Sequence, residues 1–244
     1  MRCLKDRKMK TKDNTDNKPT YLGHRERLKT RFLKDNGASM PDYELLELLL
    51  TFAIARRDVK DDAKMLLKHF GSFANVLTAS QTELADYGLT QNVIAMFKAV
   101  ISSFKRLTAE RLKEANDVIY TNIDYVIDYC KACVAEADVE EFHVLMFDKQ
   151  LHLIKDALMQ KGSVDSVPVY VREVVKEVVK QHVTSVVLFH NHPSGNCQPS
   201  EADIKLTKDI VSALKTIEIR VYDHLIISQN NYYSFHEHHL IDFM

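Results

Sequence analysis

The sequence predicts two regions of different fold class, an all-α N-terminal half and a C-terminal α/β domain with three layers around a mixed β-sheet. Residues 21–107 carry helical apolar periodicity throughout, whereas beyond residue 122 helical segments alternate with short, β-branched apolar runs. This alternation is typical of a sheet covered by helices. With 244 residues, 45% of them hydrophobic, the chain is long enough for two small domains. We place them at residues 21–115 and 118–244.

The N-terminal arm is basic although the net charge of the chain is only −1. Residues 1–35 contain twelve Lys or Arg and five Asp or Glu, and the first part of this arm has few apolar residues. We therefore expect residues 1–20 to form a disordered basic tail. Such a tail could contact phosphates, but we favour a solvated tail without a ligand.

The helical half ends in a motif that resembles a helix-hairpin-helix. Pro41 begins one helix and Gly71 ends another, and the turn Gly88-Leu89-Thr90 precedes a helix from Gln91 to about residue 107. A helix-hairpin-helix offers backbone amides to DNA phosphates. Thr90 replaces the second glycine of that motif, which weakens the phosphate-binding surface because glycine allows closer backbone approach. DNA binding and a helical packing or interaction role both stay open.

The C-terminal half contains a regular succession of predicted helices and strands. The expected helices cover residues 123–135, 168–182 and 200–217. The expected strands cover residues 142–147, 152–159, 163–167, 183–189, 220–228 and 232–235. The strand at 183–189 is a continuous apolar run, as expected for a strand buried on both faces.

Targeting segments and disulfides are not predicted. Residues 1–20 lack the apolar core of a signal peptide, and no run has the length of a membrane span. The four cysteines do not form a disulfide framework, which suits a reducing cytoplasm. Cys130 and Cys133 have zinc-ligand spacing, but no second such pair exists, so we interpret them as ordinary helix residues.

The chemically informative segment begins where the predicted strand 183–189 ends. His190 and His192 are two residues apart, so on an extended segment they face the same side, and Asp203 lies in the first turn of the next helix. Two imidazoles and one carboxylate are a common ligand set for catalytic zinc, with the fourth position left to water. Ser200 and Asp203 also match a helix capping box, which needs no metal. The combination in a strand–loop–helix context favours a metal site and hence a hydrolase.

The segment HNHPSGNCQPSEAD, residues 190–203, resembles the metal motif of the JAMM (MPN+) metalloproteases, and its PSG insert is closest to the RadC family, once named DNA repair proteins. The resemblance covers about residues 20–244. It implies a JAMM/MPN-like (cytidine-deaminase-like) C-terminal domain that binds one zinc ion per chain through His190, His192 and Asp203. Further matching pieces are Gly162-Ser163, Val171-Arg172-Glu173-Val174, Asp223-His224-Leu225-Ile226-Ile227 and Tyr233-Ser234-Phe235.

The resemblance also implies catalytic roles. The family pattern E-x-F-x-V-L-x-x-D places the general base and acid on Glu140, while the neighbouring Glu141 would point to the other side of its strand. Glu173 is the alternative base, although its charge also suits a helix N-terminus. Ser200 would donate a hydrogen bond to the developing oxyanion. The pair Asp223-His224 is expected to brace the site through hydrogen bonds rather than bind the ion.

Two hypotheses about function follow. The first is a cytoplasmic zinc-dependent amide hydrolase, peptidase or isopeptidase-like, with a protein or peptide substrate and no membrane partner. The second is a DNA-repair-associated protein that binds DNA or protein through its N-terminal helices, with a structural or vestigial metal site. A zinc deaminase is excluded because no H-x-E and P-C-x-x-C pair is present, and the H-E-x-x-H motif is absent.

Overall fold

The computed structural model describes residues 20–55, 57–114, 123–162, 169–228 and 231–243. The chain divides into two compact units, Met1–Ser102 and Ser103–Met244, called here the N-terminal and C-terminal units. The predicted tail lies almost wholly outside the described residues, as does the strand predicted over residues 163–167.

The described part of the N-terminal unit is helical. Its helices are α1 (Thr20–Asp35), α2 (Asp42–Ala53), α3 (Lys60–Phe70), α4 (Phe73–Thr78), α5 (Gln81–Asp86) and the first half of α6 (Gln91–Glu114). Local sequence explains their ends: Gly71 ends α3 with φ +87°, and Ser80 forms a capping box with Glu83 at the start of α5. Their apolar faces share one core that includes Leu46, Leu50, Leu66, Leu84 and Phe97. Within the described ranges, no helix has both the length and the apolar character of a membrane span.

Helix α6 is longer than the sequence predicted. It was expected to end near residue 107 but continues to Glu114. Its charged last turns carry two fully buried residues, Thr108 and Leu112. Leu112 joins a core cluster with Val126 and Cys130 in the C-terminal unit, so tertiary burial of a single stripe stabilises a segment whose composition is mostly polar.

The C-terminal unit is built on a five-stranded mixed sheet with strand order β2-β1-β3-β4-β5. The strands are β1 (Glu141–Phe147), β2 (Leu153–Lys161), β3 (Ser185–Asn191), β4 (Arg220–Ile227) and β5 (Tyr232–Ser234). Strands β3 and β4 are parallel, and the other neighbours are antiparallel. The helices are α7 (Ile123–Val134), α8 (Val171–Lys180) and α9 (Glu201–Lys215). The predicted α/β class with a mixed sheet is confirmed.

Alternation along the central strands produces two hydrophobic clusters. Val144, Met146, Leu188 and Ile226 share a cluster with residues of α8 and α9. The intervening residues contact α7 instead, and they are Leu145, Phe147, Val187, Phe189, Leu225 and Ile227. Both β1 and β3 are buried along their whole length, which explains why the sequence of β3 is continuously apolar rather than alternating.

Candidate metal centre

Strand β3 brings both histidines to one side of the sheet. The strand was predicted to end at residue 189, but it continues to Asn191, so His190 lies within it. His190 is paired with Phe142 of β1 and Ile226 of β4, and the amide of His192 donates to the carbonyl of Ile227 at 2.8 Å. Neighbours on both sides therefore hold the segment extended, and residues 190 and 192 face the same way.

The start of α9 orients the carboxylate of Asp203. Ser200 is the N-cap residue, and its Oγ accepts a hydrogen bond from the Asp203 amide at 3.1 Å. In return, Oδ2 of Asp203 accepts from the amide of Ser200 at 2.8 Å and from its hydroxyl at 2.6 Å. The capping box and the metal-ligand interpretation are thus compatible, because the cap uses Oδ2 while Oδ1 lies 3.3 Å from Nε2 of His190.

The three side chains converge on one point. Nε2 of His190 is 2.9 Å from Nε2 of His192, and the carboxylate oxygens of Asp203 lie 3.3 Å and 3.8 Å from these two nitrogens. Tetrahedral ligands at about 2.0–2.1 Å from a zinc ion are separated by about 3.3 Å, so the spacing fits such an ion. Among the described residues, this is the group with three ligand atoms within reach of one ion.

The protonation of the two rings also suits a cation. Nδ1 of His192 lies 2.7 Å from the carbonyl oxygen of Asn196. A carbonyl only accepts, so the ring proton is on Nδ1 and Nε2 offers its lone pair to the site. Burial lowers the pKa of His190 to about 4, although the charge of Asp203 acts in the opposite direction. His190 is therefore neutral at pH 7, which is the ligand form of histidine.

Glu140 lies beside this group. It immediately precedes β1 and shares a strand face with Phe142, whose ring is stacked on His190 with a centroid distance of 6.1 Å. Partial burial raises the pKa of Glu140, and the charge of Asp203 raises it further, while His192 lowers it. Glu140 therefore interacts electrostatically with two of the three proposed ligands.

The two other carboxylates considered from the sequence lie elsewhere. Glu141 makes an ion pair with Lys161 at 2.6 Å, and its carboxylate lies 3.5 Å from Nε2 of His143, on the strand face opposite to Glu140 as predicted. Glu173 is in the first turn of α8, where its half-exposed side chain pairs with Lys176 and Arg172. Its contacts match the helix N-terminal role more closely than a role in catalysis.

The hydroxyl of Ser200 already has a partner. Its hydrogen bond to Oδ2 of Asp203 is 2.6 Å long, so it reaches a substrate oxygen only by turning its hydrogen away from that carboxylate. Ser200 is exposed at the start of α9, which leaves room for such a rotation. The oxyanion role of Ser200 stays a prediction.

Sequence reasoning gave no role to Asn191, which the structure shows to be a buried clamp. Its Oδ1 accepts from the amide of Glu141 at 2.7 Å, and its Nδ2 donates to the carbonyl of Val139 at 3.0 Å. These two residues flank Glu140, so one amide side chain fixes the backbone on both sides of the predicted base. A polar residue at the end of an otherwise apolar strand was the available signal.

Asp223 and His224 lie behind the candidate ligands. Nε2 of His224 is 2.8 Å from Nδ1 of His190, which agrees with the expected bracing role. Asp223 holds the backbone around His224. Its carboxylate accepts hydrogen bonds from the amides of His224 and His236, at 2.7 and 2.9 Å, and from the Ser234 hydroxyl at 2.5 Å. Burial raises the pKa of Asp223 to about 6, although these hydrogen bonds oppose the shift.

Cys130, Cys133 and Cys197, the cysteines within the described residues, are not part of this group. Burial raises the pKa of Cys133 to about 12, and its thiol lies 3.5 Å from Oδ2 of Asp156. Cys197, in the loop between His192 and α9, donates to the Ser228 hydroxyl at 2.8 Å. High thiol pKa values disfavour the thiolate that metals bind, consistent with the interpretation of Cys133 as a structural residue.

Comparison with known proteins agrees with the geometry. Residues 120–240 match the RadC-like JAB domain. A UPF0758 protein of Ruegeria pomeroyi is 40% identical over 219 residues, which cover 89% of this chain and 97% of that protein. The similarity therefore extends from the metal segment into the N-terminal helices. From this shared domain and this extent of identity, the chain belongs to the RadC family.

Proposed function

We propose that this protein is a zinc-dependent metallohydrolase that cleaves amide bonds, a JAMM-type peptidase or isopeptidase-like enzyme with one zinc ion per chain. The convergence of the His190 and His192 Nε2 atoms with the carboxylate of Asp203 carries the proposal. When bound there, a zinc ion supplies Lewis acidity, which activates water and polarises a carbonyl group. The proposal includes a three-layer JAMM/MPN-like domain preceded by a separate helix-hairpin-helix-like domain.

The protein's own groups divide the remaining chemistry. Glu140 takes a proton from the attacking water and delivers it to the leaving nitrogen of the amide. Partial burial supports this role, since it raises the pKa of Glu140 towards the pH at which the carboxyl group must both accept and donate. Ser200 donates to the developing oxyanion, and the substrate is a protein or peptide in the cytoplasm.

Two adjacent carboxylates provide the test. Glu140→Gln should bind one zinc ion per chain but lose hydrolysis of a fluorogenic peptide panel by about 10²–10⁴-fold, the usual contribution of a general base. Glu141→Gln is the matched control, because its side chain faces Lys161 and His143 instead, and it should keep the wild-type rate. Equal rates for Glu140→Gln and the wild-type protein would remove Glu140 from the mechanism.

The turn between α5 and α6 supports DNA binding as a second candidate function. Gly88 adopts φ +99°, and an added Cβ would meet nothing within 4 Å, so a phosphate could approach this backbone. Fluorescence anisotropy with the full chain and a DNA duplex should then reveal affinity that falls steeply between about 50 and 200 mM salt. Thr90→Gly should strengthen binding, and no binding at low salt would end this proposal.

A further inference from the structure

A line of buried hydrogen bonds joins the metal centre to the first turns of α9. The Thr207 hydroxyl oxygen lies 2.5 Å from the backbone carbonyl oxygen of Asp203 and 2.6 Å from Nδ1 of His224. Nε2 of His224 in turn lies 2.8 Å from Nδ1 of His190. Thr207 and His224 are fully buried and His190 is 5% exposed, so solvent does not substitute for any of these partners.

One direction of proton donation satisfies both short contacts of the Thr207 hydroxyl. Two oxygens at 2.5 Å need a hydrogen between them, and a carbonyl cannot donate, so the Thr207 hydroxyl donates to Asp203. A hydroxyl has a single hydrogen, so Thr207 accepts from Nδ1–H of His224. A neutral imidazole carries one ring hydrogen, which makes Nε2 of His224 an acceptor. That acceptor receives the Nδ1–H of His190, and Nε2 of His190 is left without a proton.

We infer that Thr207 and His224 are positioning residues that hold His190 in the tautomer with a free Nε2 lone pair, the form that coordinates a metal ion. This chain of hydrogen bonds through Thr207, His224 and His190, called the relay below, begins at the backbone of Asp203. The side chain of Asp203 is itself a ligand in the proposed site. The start of α9 thus supplies one ligand directly and sets the tautomer of another. This inference rests on the metal site of the proposed function but not on hydrolysis.

The relay matters because the opposite direction of proton donation, from His224 to His190, is also chemically reasonable. If Nε2 of His224 carried the proton, it would donate to Nδ1 of His190. Nε2–H of His190 would then point towards Oδ1 of Asp203, 3.3 Å away. Both rings would be satisfied without any metal, and an incoming ion would have to displace that proton. The Thr207 hydroxyl disfavours this state because it offers His224 an acceptor rather than a donor.

A matched pair of substitutions isolates the hydroxyl. Thr207→Val removes it with little change of shape, whereas Thr207→Ser keeps it. In metal-free protein, ¹⁵N NMR of the histidine rings should place the His190 proton on Nδ1 in the wild type and in Thr207→Ser. In Thr207→Val a substantial fraction should move to Nε2. Competition with a chromophoric chelator should reveal zinc affinity about 10–100-fold weaker for Thr207→Val and unchanged for Thr207→Ser.

A second pair tests the ring itself and covers misfolding of the valine variant. The side-chain oxygen of His224→Gln can accept from His190, whereas His224→Leu cannot, so only the glutamine variant should retain zinc affinity. A wild-type proton on Nε2 of His190 would overturn the inference, as would wild-type tautomer and affinity in a folded Thr207→Val. If the wild type shows the expected tautomer but binds no zinc, the relay stands and the proposed function fails.

Discussion

Zinc added to the metal-free protein should raise its unfolding temperature by an amount that follows from the site. The unfolded chain does not hold His190, His192 and Asp203 within ion-binding distance, so zinc favours the folded state. At a free zinc concentration of 100 times Kd, this stabilisation is about 2.7 kcal/mol. A domain of roughly 150–250 residues gains about 2–4 °C per kcal/mol, so the expected shift is about 5–11 °C.

Differential scanning calorimetry measures this shift, since the chain contains no tryptophan for a fluorescence signal. Asp203→Asn is the informative variant. An asparagine still accepts the hydrogen bonds from Ser200 but lacks the negative charge that a cation requires. It should keep most of the metal-free stability and lose most of the zinc-induced shift.

His239→Asn is the control for adventitious binding by the C-terminal histidines. His239 is exposed with φ +50°, a conformation that asparagine tolerates. The full zinc-induced shift should persist in this variant. A shift retained by Asp203→Asn and lost in His239→Asn would refute the argument for the metal centre.

Three further outcomes are expected. Asp223→Asn should flatten the pH dependence of the free energy of unfolding. In the wild type the folded pKa of Asp223, about 6, lies above its unfolded value. The protonated carboxyl group therefore contributes roughly 3 kcal/mol to the free energy of unfolding below about pH 4, and this contribution is lost as the pH rises through 6. Urea unfolding from pH 4 to 7 measures this, and parallel curves for variant and wild type would contradict it. Leu188→Ala at a fully buried position should cost about 2–5 kcal/mol in the same assay, against about 0.5 kcal/mol or less for the exposed Val179→Ala. Ser200→Ala should lower the free energy of unfolding by about 0.5–2 kcal/mol because the helix cap is lost, and it should weaken zinc binding because Asp203 is no longer held in place. Ser200→Thr should retain both the stability and the zinc affinity. Unchanged zinc affinity in the alanine variant would show that the cap does not position Asp203 for the ion.

The candidate metal ligands could be found from the sequence because they are close along the chain. A strand, a short loop and one helical turn connect His190 to Asp203, and the periodicities of strand and helix determine which way each side chain faces. The prediction of Glu140 as the general base relied on the family pattern instead. Glu140 is distant from the histidines along the chain, and the pairing of β1 with β3 brings it near them.

The supporting groups could not be assigned in the same way. The contact of Thr207 with His224 joins α9 to β4, and the contacts of Asn191 join β3 to the start of β1. Such partners depend on strand register and helix placement across distant segments, which local patterns do not specify. The predicted end of α6 near residue 107 was too early for the same reason. The burial of Leu112 depends on residues of α7.

The Asn191 clamp has a mechanical consequence. Asn191 lies between the two histidines in sequence, and its side-chain amide forms hydrogen bonds with the backbone immediately before and after Glu140. A displacement of β3 would therefore drag the carboxylate along with the imidazoles, and their separation would be preserved. Under the proposed function, the candidate base and the candidate ligands would therefore keep their spacing, and the loop at residues 193–199 is the adjoining segment that would adapt to the shape of a substrate.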